Sequence, residues 1–354
     1  MADKKAVVVG GMGVIGRNLI KALNDDPSWD VVGLSRRDPD FQSSAEFISV
    51  DLLDRAQAEE KLSGLTDVTH IFYAAFQGRQ VWAEHNAPNL AMLVNSVEPI
   101  AAASPGLQHV NLVQGNKIYG SHMGPFKTPA REDDPPHMLP NFYWDQQEWL
   151  RQNQVGKSWT WSALRPQTVC GFAVGNPMNI ISAICVYAAI TKELGLPLRF
   201  PGSEAAYGRL FEVTDTGLLA EAAVWAASVP EGRNEVFNMT NGDFFRWCDM
   251  WPKIAAMFDM DVAPPQAISL TDTMADKGPV WDDIVQKHQL QPFKMEELAN
   301  WIFADWVFAR DWDIILEDRK RIRHGYSEII YTEEMFARYF KTMREMRIIP
   351  EAPG

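Results

Sequence analysis

"KAVVVGGMGVIG", residues 5–16, decides the fold. Ala6 to Val9 form an unbroken apolar run, mostly β-branched, which suits a strand buried on both faces. Gly10, Gly13 and Gly16 follow at G-x-x-G-x-x-G spacing, and "VIGRNLIKALNDD" (14–26) then carries its apolar residues on one helical face. Glycines at a strand-to-helix turn let the backbone approach a pyrophosphate. The helix start adds N–H groups without intrahelical partners and a partial positive charge. Glycine runs also make ordinary turns, but between a buried strand and an amphipathic helix this one reads as a dinucleotide loop.

The same alternation continues outward. "DVVGLS" (30–35), "EFISVD" (46–51), "THIFYAA" (69–75), "HVNLVQG" (109–115) and "WTWSALRP" (159–166) read as strands. "RAQAEEKL" (55–62), "NLAMLVNSVEPIAAA" (89–103) and "YWDQQEWLRQNQ" (143–154) read as helices between them. Apolar strands alternating with helices imply a doubly wound α/β architecture with a parallel sheet covered on both faces. The Pro- and Gly-rich stretch 115–140 is a long loop, and such loops usually serve function. Past residue 172 the pattern becomes mainly helical and rich in Trp and Phe. The expected organisation is a dinucleotide-binding domain over 1–172 with a return segment at about 205–240. A smaller, mainly helical substrate-side domain takes 173–204 and 241–354.

Lys and Arg total 33 against 46 Asp and Glu, a formal charge of −13, which disfavours nucleic acid as a partner. "RKRIR" (319–323) is the dense basic run and reads as a solvated helix face. Three scattered cysteines form neither a disulfide framework nor a zinc site, and His70 and His137 lack metal-ligand spacing. No signal-peptide pattern and no long apolar span appear, so the expectation is a cytoplasmic protein with no membrane segment.

The end of the second strand distinguishes the nicotinamide cofactors. An acidic residue there holds the 2′-hydroxyl of NAD, and arginine pairs with the 2′-phosphate of NADP. The chain reads "GLSRRDPD" (33–40), with Arg36 and Arg37 ahead of Asp38, which favours NADPH. Asp51 and Leu52 end the third strand, where an adenine would lie; Asp51 could equally cap the next helix.

Tyr-x-x-x-Lys, the catalytic pair of short-chain dehydrogenases, is absent: Tyr143 is followed four residues on by Gln147. A lysine does lie just past the fifth strand, Lys117 in "VQGNKIYG", at the carboxyl end where doubly wound sheets bind ligands. With these residues in view, the chain resembles the progesterone 5β-reductase/iridoid synthase-like enzymes, an atypical branch of the extended short-chain dehydrogenase/reductases. The resemblance runs nearly end to end, through "VDLLD", "THIFYAAF", "QGNKIYG", "MGPF", "NFYW", "RPQTVCGF", "MNIISAICVYAAI", "GLPLRFPG" and "EVFNMTNGDFFRW". It implies a Rossmann-type fold, NADPH as cofactor and reduction of the activated C=C bond of an enone or enal.

By the same resemblance Lys117 and Tyr143 are the catalytic pair. Met12, Gly13 and Val14 underlie the pyrophosphate, Arg36 and Arg37 meet the 2′-phosphate, and Asp51 and Leu52 the adenine. Ala75 and Val113 line the route to the nicotinamide, with Val169, Pro177 and Met178 near its end. Trp144 stands where the family has a second tyrosine, Gln114 where it has threonine, and the stretch from Lys117 to Phe126 is longer than in common plant members. Phe76, Trp82, Met123, Phe126, Met178, Ile181 and Phe211 are candidates for an apolar substrate wall, although such residues fill cores more often than pockets. A carbonyl reductase acting by 1,2-addition and a non-catalytic NADP-binding sensor are the rival readings. A homodimer is common on such a fold.

Overall fold

The computed structural model describes residues 3–173, 175 and 178–351. Two compact units emerge. The first comprises Met1–Gln167, Thr216–Met239 and Leu316–Glu328; the second Thr168–Asp215, Thr240–Ile315 and Ile329–Gly354.

The first unit is built on a seven-stranded parallel sheet. Its strands are β1 (Lys4–Val9), β2 (Trp29–Ser35), β3 (Glu46–Ser49), β4 (His70–Tyr73), β5 (His109–Val113), β6 (Thr160–Pro166) and β7 (Glu235–Met239). Their order is β7-β6-β5-β4-β1-β2-β3. The order reverses between β1 and β4, and such a reversal opens a crevice at the strands' carboxyl ends. Helices α1 (Val14–Asn24), α2 (Arg55–Leu62), α3 (Asn86–Ala103) and α4 (Phe142–Gln154) join them, with a further helix over Thr216–Ser228.

Strand alternation divides the core between two faces. Val7, Val9, Ile71, Tyr73, Val110 and Leu112 pack with Ala58 and Leu62 of α2, Leu93 and Val97 of α3 and Leu150 of α4. The opposite face carries a polar rung. Ala6, His70, His109 and Thr160 are in register across four strands. The His109 ring bridges the Thr160 and Ser162 hydroxyls, each at 2.8 Å, and Trp29 meets His70 edge-on at 4.7 Å.

Leu316–Glu328 joins the first unit, although its sequence pattern groups it with the C-terminal helices. Polar anchors explain the return. Asn238 in β7 donates to the Glu317 carbonyl at 3.0 Å, Lys320 pairs with Glu235 at 2.6 Å, and the Tyr326 hydroxyl donates to the Leu218 carbonyl at 3.0 Å.

In the second unit the helix Ile180–Glu193 is apolar around nearly its whole circumference and buried accordingly. Phe200, Trp247, Trp251 and Phe308 form an aromatic nucleus with edge-to-face contacts. Short strand pairs complete it, including Leu210–Phe211 against Phe245–Arg246. Among the described residues no helix is long and apolar enough to cross a membrane.

Burial lowers the His70 imidazole from 6.5 to about 4 and that of His109 to about 3. Both stay neutral in the fold, while the unfolded chain takes up protons below its ordinary pKa. Their contribution to stability is complete above about pH 6.5 and declines as pH falls, by up to about 1.4 kcal/mol per unit for each histidine. Urea unfolding between pH 7 and 5 should therefore show a steeper loss of stability for wild type than for a His70→Gln/His109→Gln variant; equal slopes would show that the rings are not held neutral.

Candidate active site

The phosphate loop forms where β1 passes into α1. A Cβ on Gly10 would meet the Ala75 Cα and N at 2.9 Å, and Gly10 has φ +86, so the turn beside the end of β4 admits no side chain. A Cβ on Gly16 would lie 2.1 Å from the Gly10 carbonyl oxygen, which seats the helix directly on the loop. Gly13 is the N-cap of α1 and supplies no side-chain acceptor, and the first turn contains no acidic residue. The helix start thus keeps the donors and the polarity that suit an anion.

Cations gather beside this loop. Arg36 and Arg37 are exposed; Arg37 donates to the Met12 carbonyl at 3.1 Å and Arg36 reaches Gln77 at 3.4 Å. Arg17, in the first turn of α1, pairs with Asp40 at 2.7 Å and lies over the Phe41 ring. Burial lowers its pKa, and Arg37 adds to the effect by like-charge repulsion. The sequence reading missed Arg17, although a basic residue directly after the last loop glycine could have signalled it. A glycine cradle at an uncapped helix start, flanked by three arginines, fits a phosphorylated dinucleotide.

The adenine-side residues differ in detail from expectation. Asp51 does not cap α2; Asp54 does, accepting from Gln57 N at 3.0 Å. Asp51 instead holds its own turn, accepting from Leu53 N at 3.0 Å. Leu52 is buried and presents its carbonyl to Asn95. Val113 is buried at the end of β5 and Met12 within the loop, while Val14 and Ala75 are half-buried.

Lys117 lies in a short 3-10 turn, Asn116–Tyr119, directly after β5, and Tyr143 lies in the first turn of α4. One side chain spans them. Asn141, fully buried, accepts from Tyr143 N through Oδ1 at 3.1 Å and donates from Nδ2 to the Lys117 carbonyl at 3.1 Å. The N-cap of α4 thereby fixes the lysine turn as well. Gln114 adds a second tie, its Nε2 donating to the Tyr143 carbonyl at 2.6 Å. The Tyr143 hydroxyl lies against Gly115, where a Cβ would be 3.0 Å from it. The Lys117 ammonium lies over the Trp82 ring at 5.6 Å, within cation–π range. Burial raises the Tyr143 phenol above its ordinary 10.0, so it keeps its proton at neutral pH.

An aromatic wall adjoins the pair. Phe142 packs against Tyr143 at 4.0 Å, Trp82 at 5.6 Å and Phe76 at 5.6 Å. Phe76 is nonetheless 40% exposed and Met123 44%, so both offer apolar surface. Phe126 and Trp144 pack instead against Ile118, Tyr119, Ala130 and Leu316. In the second unit, Val169 is half-buried in a short strand paired with Thr214, and Met178 is 50% exposed. Ile181 is fully buried in its helix, and Phe211 is buried against Phe245 and Trp247. Those two, expected on the pocket wall, occupy interior positions of their own unit. Pro177 lies outside the described residues.

A doubly wound sheet with a glycine phosphate loop and a tyrosine and lysine at its carboxyl edge defines a short-chain dehydrogenase/reductase-type oxidoreductase. Solved structures agree on the fold: a UDP-glucose 4-epimerase from Thermotoga maritima superposes with TM-score 0.67 at 15% identity, covering 96% of this chain and 99% of its own. The chain belongs to the PRISE-like Rossmann-fold family, whose domain matches residues 47–350. It is 36% identical to the (S)-8-oxocitronellyl enol synthase of Nepeta racemosa and 34% identical to the 3-oxo-Δ(4,5)-steroid 5-β-reductase of Arabidopsis thaliana. Each match covers 98% of this chain and 94% of the relative.

Replacing Arg36 and Arg37 together by alanine should weaken NADPH binding at least ~10-fold and leave NADH within ~2-fold, if both guanidinium groups meet the 2′-phosphate. Fluorescence titration of the two nucleotides reads the ratio; an unchanged ratio would remove them from cofactor choice.

Proposed function

We propose that the protein reduces the C=C bond of an enone or enal with NADPH by 1,4-addition. The observation that carries this reading is the bridge by Asn141, which joins the Lys117 turn to the helix start bearing Tyr143. The relatives' names supply its chemical sense: one is an enol synthase, and the other reduces a double bond conjugated to a ketone. The glycine loop would hold the pyrophosphate and Arg36 and Arg37 the 2′-phosphate. Bound NADPH supplies the hydride that reaches the β-carbon.

The chain's own part is to receive the charge that then builds on the carbonyl oxygen. A phenol kept protonated by burial is a donor, and Tyr143 donates its hydrogen bond to that oxygen. The Lys117 ammonium, steadied over Trp82, adds positive charge to the same region. Phe76 and Trp82, backed by the buried Phe142, present apolar surface, so the substrate is a small, largely apolar carbonyl compound. The missing Tyr-x-x-x-Lys weighs against 1,2-reduction of a simple carbonyl, and a sensor has no need of a donor and an ammonium. A homodimer belongs to the same proposal, and sedimentation would read it.

Tyr143→Phe removes one oxyanion donor and should cost about 2.7–4 kcal/mol in the barrier, seen as lost kcat with NADPH affinity retained. Turnover of an enone at the wild-type rate would exclude Tyr143 from the chemistry. Lys117→Met should lower kcat more than it weakens NADPH; the reverse pattern would make it a cofactor ligand only. Gly115 has an extended backbone, so alanine folds there without strain, but its methyl group presses on the Tyr143 hydroxyl. Gly115→Ala should keep the melting temperature and lose ~10-fold or more in kcat, because small misplacements of a reacting group are costly.

A further inference from the structure

Tyr-x-x-x-Lys would put its lysine at position 147, and Gln147 is committed elsewhere. It is buried, and its Oε1 accepts from Nη2 of Arg165 at 3.1 Å. Arg165, in β6, is 2% exposed. Its Nε donates to Gln114 Oε1 at 3.1 Å, and its Nη1 donates to the Tyr119 hydroxyl at 2.8 Å and the Glu132 carbonyl at 3.2 Å. All four acceptors are uncharged. The Glu132 carboxylate accepts from Asn238 N at 2.9 Å instead of from Arg165; burial raises its pKa, and the nearby charge of Arg165 acts against that rise, so the carboxylate compensates the guanidinium at a distance without bonding to it.

A buried guanidinium satisfied by neutral oxygens depends on each of them, because every lost acceptor leaves a desolvated N–H. Lysine at 147 would remove one acceptor and place an ammonium beside that guanidinium. In a dry interior like charges at that range repel strongly. The acceptors are also the parts of the site. Tyr119 lies two residues after Lys117 on the same 3-10 turn, Gln147 one turn along α4 from Tyr143, and Gln114 carries the tie to the Tyr143 carbonyl. A planar fork holding three elements fixes their relative placement.

We propose that Arg165 is the positioning residue of the Lys117–Tyr143 site and that its buried charge bars lysine from position 147, so that the site's ammonium has to come from the turn after β5. The proposal rests on the function above only in taking Lys117 and Tyr143 as the reacting pair; the charge lock belongs to the fold. Arg165 touches neither substrate nor cofactor in this scheme and acts through the elements it holds.

The test uses the full chain and Gln147→Lys, Gln147→Glu, Arg165→Met, Arg165→Lys and the double variant Gln147→Lys/Arg165→Met. Urea unfolding gives the charge coupling. Gln147→Lys should lower the folding constant at least ~10-fold in the wild-type background and much less in the Arg165→Met background, while Gln147→Glu, which puts a carboxylate in direct hydrogen-bond reach of Arg165, should not lower it. An equal cost in both backgrounds, or none in wild type, would overturn the lock.

Amide hydrogen exchange reads positioning. In Arg165→Met, residues 117–120 and 143–147 should exchange at least ~10-fold faster together, β1 and β2 should be unchanged, and Arg165→Lys should restore protection in part. A response in one segment alone, a matching rise in β1 and β2, or no rescue by lysine would reduce Arg165 to a general core residue. Neither readout needs turnover, so a wild-type enzyme inert toward enones would defeat the proposed function and leave this result standing.

Discussion

The site depends on one asparagine side chain that bonds in two directions. An asparagine at an N-cap ordinarily satisfies the helix it begins. Asn141 does this for α4 with one atom and uses the other to hold the carbonyl of Lys117, in a separate turn. Because it is wholly buried, neither bond competes with water, and losing either would strand a polar group in the interior. Two residues remote in sequence therefore behave as a unit without sharing a helix.

The unit needs a rigid frame, and the sheet supplies it. β5 and β6 end side by side, and the Lys117 turn leaves from one while Arg165 projects from the other. Nearer the amino ends, the imidazole and hydroxyl groups of His109, Thr160 and Ser162 satisfy one another where apolar packing would be expected. Such a network rigidifies only when its members are paired, and here the pairing is across neighbouring strands. The glycine loop lies at the same carboxyl edge, against the end of β4. Glycine loop and lysine turn are thus set by strand ends rather than by flexible connections.

Much of this was legible in the sequence because the signals were local. Apolar runs of strand length alternated with helical periodicity, so β1 to β6 and α1 to α4 agree with the reading to within a few residues. The glycine spacing and "RR" located the loop for the same reason. What escaped depends on pairing across long separations. No periodicity announces that Asn141 reaches Lys117, that Gln147 serves Arg165, or that Asn238 and Tyr326 draw residues 316–328 into the first unit. Ile181 and Phe211, both buried within their own unit, illustrate a related point: an apolar residue has the same sequence signature facing a core or facing a ligand.

The displaced lysine then has a physical cause. A helix that carries both tyrosine and lysine puts the cation one turn from the phenol and leaves the neighbouring strand free to be neutral. Here the strand contributes a buried cation, and the helix answers with glutamine. The second cation comes instead from the turn after β5, which is tied to Asn141 and, through Tyr119, to Arg165. The ammonium therefore approaches from a loop with an aromatic ring beneath it and not from the helix surface. In the proposed reaction that arrangement makes the phenol the directional donor and the ammonium a source of field. A charge that develops on an oxygen several bonds away from the site of hydride delivery calls for that division of labour, since the oxygen needs a hydrogen bond and its neighbourhood needs only positive potential.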